Sequence, residues 1–280
     1  SSRISEGNSK LQASQSVAMV GGPAAGGFLI RLVGAPVTIG LDALSFLGSA
    51  LFVRRIRHPD HPPSREGRRS LVVEIREGLS FVLRHQLLLR ITACTAVANL
   101  FGAMSNALLV LFVLRDLGLT EATLGVVFAV GAVGGLLGAL VVGGVTRLVG
   151  EGRAIPLSAL AWAPGAVLLP LAGPLPATTT LVVAMFVFSF CVVVYNVTQV
   201  SFRQRVCPRP LLGRMNASVR FLVWGCQPVG AALGGVLGQL VGVRPTLWVA
   251  AAGSLLAALP VVLSPLMRMR DLPTALDQHA

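Results

Sequence analysis

Apolar and polar positions along the chain fall into eight long apolar runs separated by short polar breaks. The runs cover roughly 11–33, 36–53, 91–114, 122–146, 154–172, 180–202, 219–241 and 246–267. A helix needs about 20 apolar residues to cross the hydrocarbon core of a bilayer, and all but the shortest run, 36–53, come close to or exceed that length. The runs are continuously apolar, whereas the strands of a membrane barrel alternate over about ten residues. The pattern therefore predicts an all-α membrane protein with eight transmembrane helices. Between the second and third runs, "LVVEIREGLSFVLRH" places Leu71, Ile75, Leu79 and Val82 among charged residues. That spacing predicts an interfacial helix leading into the third span, after a Pro-rich loop around "HPDHPPSREGRR".

Composition agrees: 54% of the residues are hydrophobic and 12% charged, against about 25% charged in a soluble domain. The net charge of +12 raises the question of nucleic acid, and its distribution answers it. When the spans alternate across the bilayer, every one of the 23 Lys and Arg except Arg31, Arg115 and Arg244 falls on one side. The positive-inside rule makes that side cytoplasmic, with both termini there, in a multi-pass protein of the cell membrane. The charge is topological, and no nucleic-acid partner is expected. Cys94, Cys191, Cys207 and Cys226 form no Cys-x-x-Cys and suggest neither a metal nor a redox site. No cofactor is expected, and no nucleophile, base or metal cluster at workable spacing suggests an enzyme.

The stretch "GGPAAGGFLIRLVG" (Gly21 to Gly34) returns as "GAALGGVLGQLVG" (Gly230 to Gly242). With Gly22 laid on Gly230, the pairs Asn8/Asn216, Ala24/Ala232, Gly26/Gly234, Gly27/Gly235, Leu29/Leu237, Leu32/Leu240, Val33/Val241 and Gly34/Gly242 are also identical. One short insertion near Arg244 then sets Pro36 against Pro245. The first two spans thus correspond to the last two, in a repeat unit six helices long, the plan of a twelve-helix secondary transporter. On this reading residues 1–55 hold the last two helices of an N-terminal bundle and 56–90 a cytoplasmic connector. Residues 91–270 form a complete C-terminal six-helix bundle and 271–280 a tail. Four further helices are expected ahead of Ser1 in the full-length protein.

Several stretches carry a resemblance: "LDALSFLGSALFVRRIR" (Leu41–Arg57), "EIREGLSFVLRH" (Glu74–His85), "NLFGAMSNALLVLFV" (Asn99–Val113) and "YNVTQVSFRQRVCPRPLLGRMNA" (Tyr195–Ala217). Their order resembles the major facilitator superfamily, in particular its drug- and siderophore-exporter branch, which includes enterobactin exporters and macrolide efflux pumps. The resemblance implies that the eight spans are equivalent to helices 5–12 of the twelve-helix fold. Gly22, Pro23, Gly26 and Gly27 match the Gly-Pro-x-x-Gly-Gly centre of the family's antiporter motif; Ala18 and Ser9 stand where the family has glycine. Gly230, Gly234 and Gly235 form its second copy. Small residues four apart let helix backbones approach closely, and proline tends to kink a helix. Two seams follow, the second straighter because Ala231 replaces the proline, acting either as gates or as plain packing.

"GGVTRLVGEGR" resembles a degenerate copy of the superfamily's Gly-x-x-x-Asp-Arg-x-Gly-Arg-Arg loop, with Thr146 in place of the acid. It makes Gly143, Arg147, Gly150 and Arg153 a candidate cytoplasmic gating loop, or simply residues obeying the positive-inside rule. "GAVGGLLGAL" (Gly131–Leu140) lacks the Gly-Lys-Ser/Thr ending of a nucleotide loop and is assigned to helix packing. Asp42 is the acidic residue set well inside a span, where its charge is costly. Arg31 and Arg244 are its expected partners, and the roles open to it are structural pairing, protonation or proton coupling. Polar residues on the helices that resemble the family's seventh, tenth and eleventh are candidates for a substrate cavity: Asn99, Ser105, Asn106, Tyr195, Asn196, Gln199 and Gln227. Asn99 and Asn106, and likewise Asn196 and Gln199, share helix faces.

Together these readings suggest a secondary active transporter exporting an amphipathic drug, siderophore or secondary metabolite by alternating access, with protons as the coupling ion. A uniporter or importer of the same fold, and a non-transporting membrane fragment or scaffold, are the alternatives. Single cysteines put at Arg68 and Arg209 should react with an impermeant thiol reagent from the same membrane face, and one at Arg115 from the other. Labelling of 68 and 209 from opposite faces would refute the eight-span topology.

Overall fold

The computed structural model describes residues 29, 33–55, 71–208 and 211–270. The expected first span at 11–33, and with it Gly22, Pro23, Gly26, Gly27 and Arg31, lies almost wholly outside the described residues. Two compact units divide the chain, Ser1–Arg68 and Arg69–Ala280. The described part of the first includes one long helix, α1 (Ala35–Arg54). The second holds α2 (Leu71–Arg84), α3 (Gln86–Leu111), α4 (Glu121–Val149), α5 (Glu151–Ala161), α6 (Ala163–Leu171), α7 (Ala177–Val206), α8 (Leu212–Leu240), α9 (Val243–Ala257) and α10 (Leu259–Val262). Among the described residues, seven helical segments are long and apolar enough to cross a bilayer, with α5–α6 and α9–α10 each counted as one.

Proline accounts for the two broken spans. It brings no N–H to the helix, and its ring crowds the carbonyl four residues back. Pro164 accompanies the break at Trp162 between α5 and α6, and Pro260 the break at Ala258 between α9 and α10. The expected uninterrupted runs 154–172 and 246–267 are corrected to that extent. Capping sets where α3 begins: His85 Nδ1 accepts the Leu88 N–H at 3.3 Å, so the helix starts at Gln86 rather than 91. Burial holds the His85 imidazole below the usual histidine range, which favours the neutral ring that such an acceptor requires. At its far end α3 widens into a π-helical turn over Phe112–Asp116.

The two helices expected to correspond open identically. Gly34 (φ 81°, ψ 159°) precedes α1 and Gly242 (φ 94°, ψ 160°) precedes α9, a backbone region that penalises any Cβ. Thr38 Oγ1 donates to the Gly34 carbonyl at 2.9 Å, and Thr246 Oγ1 to that of Gly242 at 2.8 Å. Gly34/Gly242 and Thr38/Thr246 keep one register, so the insertion expected near Arg244 is not needed. Pro36 and Pro245 simply occupy successive positions in the first helical turn.

Within the second unit, α8 packs on α3 and α4 on α7 through glycine. A Cβ on Gly230 would run into the Leu100 carbonyl, and one on Gly234 would lie 2.9 Å from that of Met104. Gly238 continues the stripe against Leu108. Gly235, assigned to this seam from the sequence, meets nothing within 4 Å: it lies one residue round the helix, off the contact face. The expectation of a straighter seam overlooked Pro228, which lies inside α8. In α4, Gly134 and Gly138 face the carbonyls of Phe186 and Phe190, a Cβ coming within 2.6 and 2.7 Å of them. That is the packing role expected for "GAVGGLLGAL". The amphipathic α2 lies against α8, with Gly78 on the Arg214 carbonyl and Glu77 bonded to Arg214 at 2.7 Å.

Replacing Gly230 by valine should destabilise the bundle by about 1–3 kcal/mol or more, since backbone rather than a movable side chain blocks the new atoms. Gly235→Ala should leave stability nearly unchanged. Thermal unfolding of the detergent-solubilised variants checks the pair.

Candidate functional site

Two apolar clusters close the ends of the second unit. One gathers Leu88, Ile91, Trp162, Tyr195, Phe202 and Met215; the other gathers Leu109, Phe112, Val127, Leu169, Leu181 and Leu247. Between them opens a cavity of about 860 Å³, lined by α3, α6, α7 and α8 with contributions from Trp162 and Ser254. Of the residues expected there, Asn99, Ser105, Asn106, Tyr195, Asn196 and Gln227 line it. Gln199 does not. It is buried, 4% exposed, and its Nε2 reaches Asn196 Oδ1 at a long 3.4 Å.

The polar residues divide by what they already hold. Asn99 Nδ2 donates to the Val223 carbonyl at 3.0 Å, tying α3 to α8, so part of its capacity is structural. Tyr195 is fully buried, its hydroxyl 2.9 Å from Thr95 Oγ1 and 3.2 Å from the Ile91 carbonyl. Its ring meets Trp162 edge-on at 5.0 Å, and Trp162 Nε1 donates to the Ser254 carbonyl at 3.3 Å. This chain of contacts fixes the cavity floor across four helices. Ser105, Asn106 and Gln227, by contrast, hold no side-chain hydrogen bond among the described residues and face the cavity with donors and acceptors unused. The remaining wall is largely apolar and aromatic, including Trp224 and Phe188, with Thr95, Ser189 and Asn196 interspersed, and among the described residues no ionisable side chain other than the Tyr195 phenol lines it.

Trp162, Trp224, Phe188, Thr95 and Ser189 escaped the sequence reading. Trp162 turns inward because Pro164 breaks its helix. Trp224 lies one turn before Pro228, and those two positions together were the available signal.

The stretch read as a gating loop is mostly helix. Gly143 and Arg147 belong to α4 and Arg153 to α5, leaving Gly150 (φ 88°) as the sole joint between them. The Thr146 hydroxyl bonds back to the Val142 carbonyl at 2.9 Å, so it replaces no charge. The ion pair at this corner is made by Glu151, which accepts from Arg205 of α7. The Gly152 amide donates to the Arg270 carbonyl at 3.2 Å, pinning the chain that follows α10. Arg147 and Arg153 are exposed. Asp42 is exposed on α1, and its carbonyl accepts from Ser45 Oγ at 2.7 Å. Arg244, expected near Asp42, lies over the Phe112 ring at 5.4 Å within the second unit.

Comparison with known proteins agrees with this architecture. Residues 1–225 and, overlapping them, 91–278 match the Major Facilitator Superfamily. The chain belongs to that superfamily. It is a multi-pass membrane protein of a family of transporters rather than of enzymes. It is 26% identical over 273 residues to the multidrug efflux pump Tap of Mycolicibacterium fortuitum, covering 96% of this chain and 65% of the relative. The chain thus spans somewhat less than two thirds of that protein's length. No solved structure gives a significant match.

Tyr195→Phe should lower thermal stability by about 0.5–1.5 kcal/mol, the usual net worth of a hydrogen bond. Trp162→Ala should lower it by more, because it opens a void beside Tyr195 as well. Unfolding midpoints of the two variants against wild type test the order.

Proposed function

We propose that this chain is the greater part of a major facilitator exporter that moves an amphipathic compound, a drug, siderophore or secondary metabolite, out of the cell by alternating access. The carrying observation is the cavity. Its volume lies within the range of sites for drug-sized ligands, about 300–1,000 Å³, its wall is aromatic and apolar, and unused polar atoms of Ser105, Asn106 and Gln227 project into it. A sugar site would need a denser set of polar groups, and a small-ion site would need charges or converging carbonyls. The distant similarity to a multidrug efflux pump supports the outward direction.

Orientation follows from charge. Arg90, Arg205, Arg214 and Arg270 make their contacts at one end of the second unit, with Leu263, Glu151, Glu77 and Gly152. By the positive-inside rule that end is cytoplasmic, and both termini lie on that side. Protons are the coupling ion in this reading. With no carboxylate or histidine in the cavity wall of the second unit, proton binding falls to residues elsewhere in the transporter, Asp42 among them.

Cells preloaded with the neutral dye N-phenyl-1-naphthylamine should lose it several-fold faster when the chain is expressed in its natural full-length context. Collapse of the proton gradient should abolish that gain. Asn106→Leu and Trp224→Ala should weaken it. Equal loss with and without expression would refute the exporter, and loss that persists without the gradient would favour a uniporter.

A further inference from the structure

The cavity wall holds one widely open aromatic ring, and a cation already lies against it. Trp224 lines the cavity and is 60% exposed, and the Arg220 guanidinium lies 5.3 Å over its ring. The two residues are one turn apart on α8, and helical side chains lean back toward the N-terminus, which lays the Trp224 ring toward Arg220. Arg220 is exposed and does not itself line the cavity, so the ring stands between the guanidinium and the chamber. No carboxylate among the described residues pairs with Arg220. The other rings of the wall are less open: Trp162 and Tyr195 are almost wholly buried and engage each other edge-on.

An aromatic face attracts a cation through its quadrupole, and Trp does so best. In a wall without a carboxylate, Trp224 is the natural place for a cationic cargo. That ring is already engaged. A second cation on its other face would lie within about 6 Å of the centroid, hence about 10 Å from the guanidinium. A chamber bounded by apolar walls screens their repulsion less than bulk water does. The wall offers no compensation, because its free polar groups, on Ser105, Asn106 and Gln227, are uncharged and no Asp or Glu among the described residues lines it. Hydroxyls and carboxamides both donate and accept, which suits an uncharged polar group. A charge buried without a partner is far costlier than a hydrogen-bonded dipole.

We propose that Arg220, acting through Trp224, makes the wall of the second unit select uncharged over cationic amphipaths. The inference rests on the transport reading and narrows its substrate class to compounds without a positive charge. Arg220 does not touch the cargo; it sets the charge that the Trp224 face tolerates.

The probes are two fluorescent dyes of one shape, 4-(4-dimethylaminostyryl)pyridine and its N-methylpyridinium, which differ by a methyl group and a positive charge. Binding is measured to the chain in phosphatidylcholine nanodiscs, blanked against empty discs, at low ionic strength and in alkaline buffer that keeps the pyridine unprotonated. The neutral dye should bind about tenfold more tightly. Arg220→Gln and Arg220→Met should cut that ratio about fivefold by strengthening the methylpyridinium. Arg220→Lys should retain most of it, all in variants that elute and melt like wild type. Equal affinities in the wild-type chain, or a tighter methylpyridinium, would overturn the selection. A ratio unchanged in both the glutamine and methionine variants, or lost as fully in the lysine variant, would overturn the role of the Arg220 charge. Binding of neither dye above the empty discs would overturn the apolar-cavity reading, and the inference with it.

Discussion

Close backbone approach at glycine is the constraint on which the second unit depends. Lipid tails are as apolar as leucine, so helices in a bilayer gain little from hiding apolar side chains and associate instead through van der Waals fit. Gly230 and Gly234 bring α8 onto the carbonyls of α3, and Gly134 and Gly138 bring α4 onto those of α7. Each glycine stripe grips one partner. The pairs α3–α8 and α4–α7 therefore form tightly while α7 and α8 are held by different neighbours. The cavity is the space that pairwise gripping leaves, with Trp162 and the helix break beside it closing the floor.

Electrostatics organises the ends and leaves the middle neutral. The exposed or half-exposed pairs Glu77–Arg214 and Glu151–Arg205 are individually worth little in stability, of the order of 1 kcal/mol or less. Their effect is positional. One ties α2 to the start of α8, and the other ties the end of α7 to the joint at Gly150. Arg90 adds a bond from Nη1 to the Leu263 carbonyl at 2.8 Å, which anchors the chain end of α10 to α3. In the proposed alternating-access cycle, helix ends that move relative to one another must exchange such contacts, and weak pairs exchange more readily than buried ones.

Much of this was legible in the sequence, for identifiable reasons. Run length and continuous apolarity located every described span, because the bilayer imposes both. Polar residues at helical spacing located six of the cavity residues, since Asn or Gln in an apolar run needs either a partner or a cavity. What escaped depends on rotation about the helix axis. Gly235 and Gly238 are indistinguishable as letters, yet only Gly238 faces α3. Gln199 shares a face with Tyr195 but lies below the cavity. Thr146 was read as the residue in place of the motif's acid, whereas the acid that matters, Glu151, comes from the start of the next helix. Aromatic wall residues were invisible because Trp162 and Trp224 look like lipid-facing residues until proline places them.

A neutral cavity wall also shapes what coupling can mean. In the proposed exporter, a chamber whose wall carries no carboxylate, histidine or guanidinium among the described residues holds its cargo by area and by a few hydrogen bonds, which tolerates many shapes and fixes none. On the proposed proton-coupled reading, cargo binding and proton binding are separate events, linked through the change in conformation. Linkage of that kind requires that each ligand favour one conformation by its own differential contacts. The matching openings at Gly34–Thr38 and Gly242–Thr246 give α1 and α9 the same abrupt start, at a glycine with positive φ, on which such a change could act alike in both.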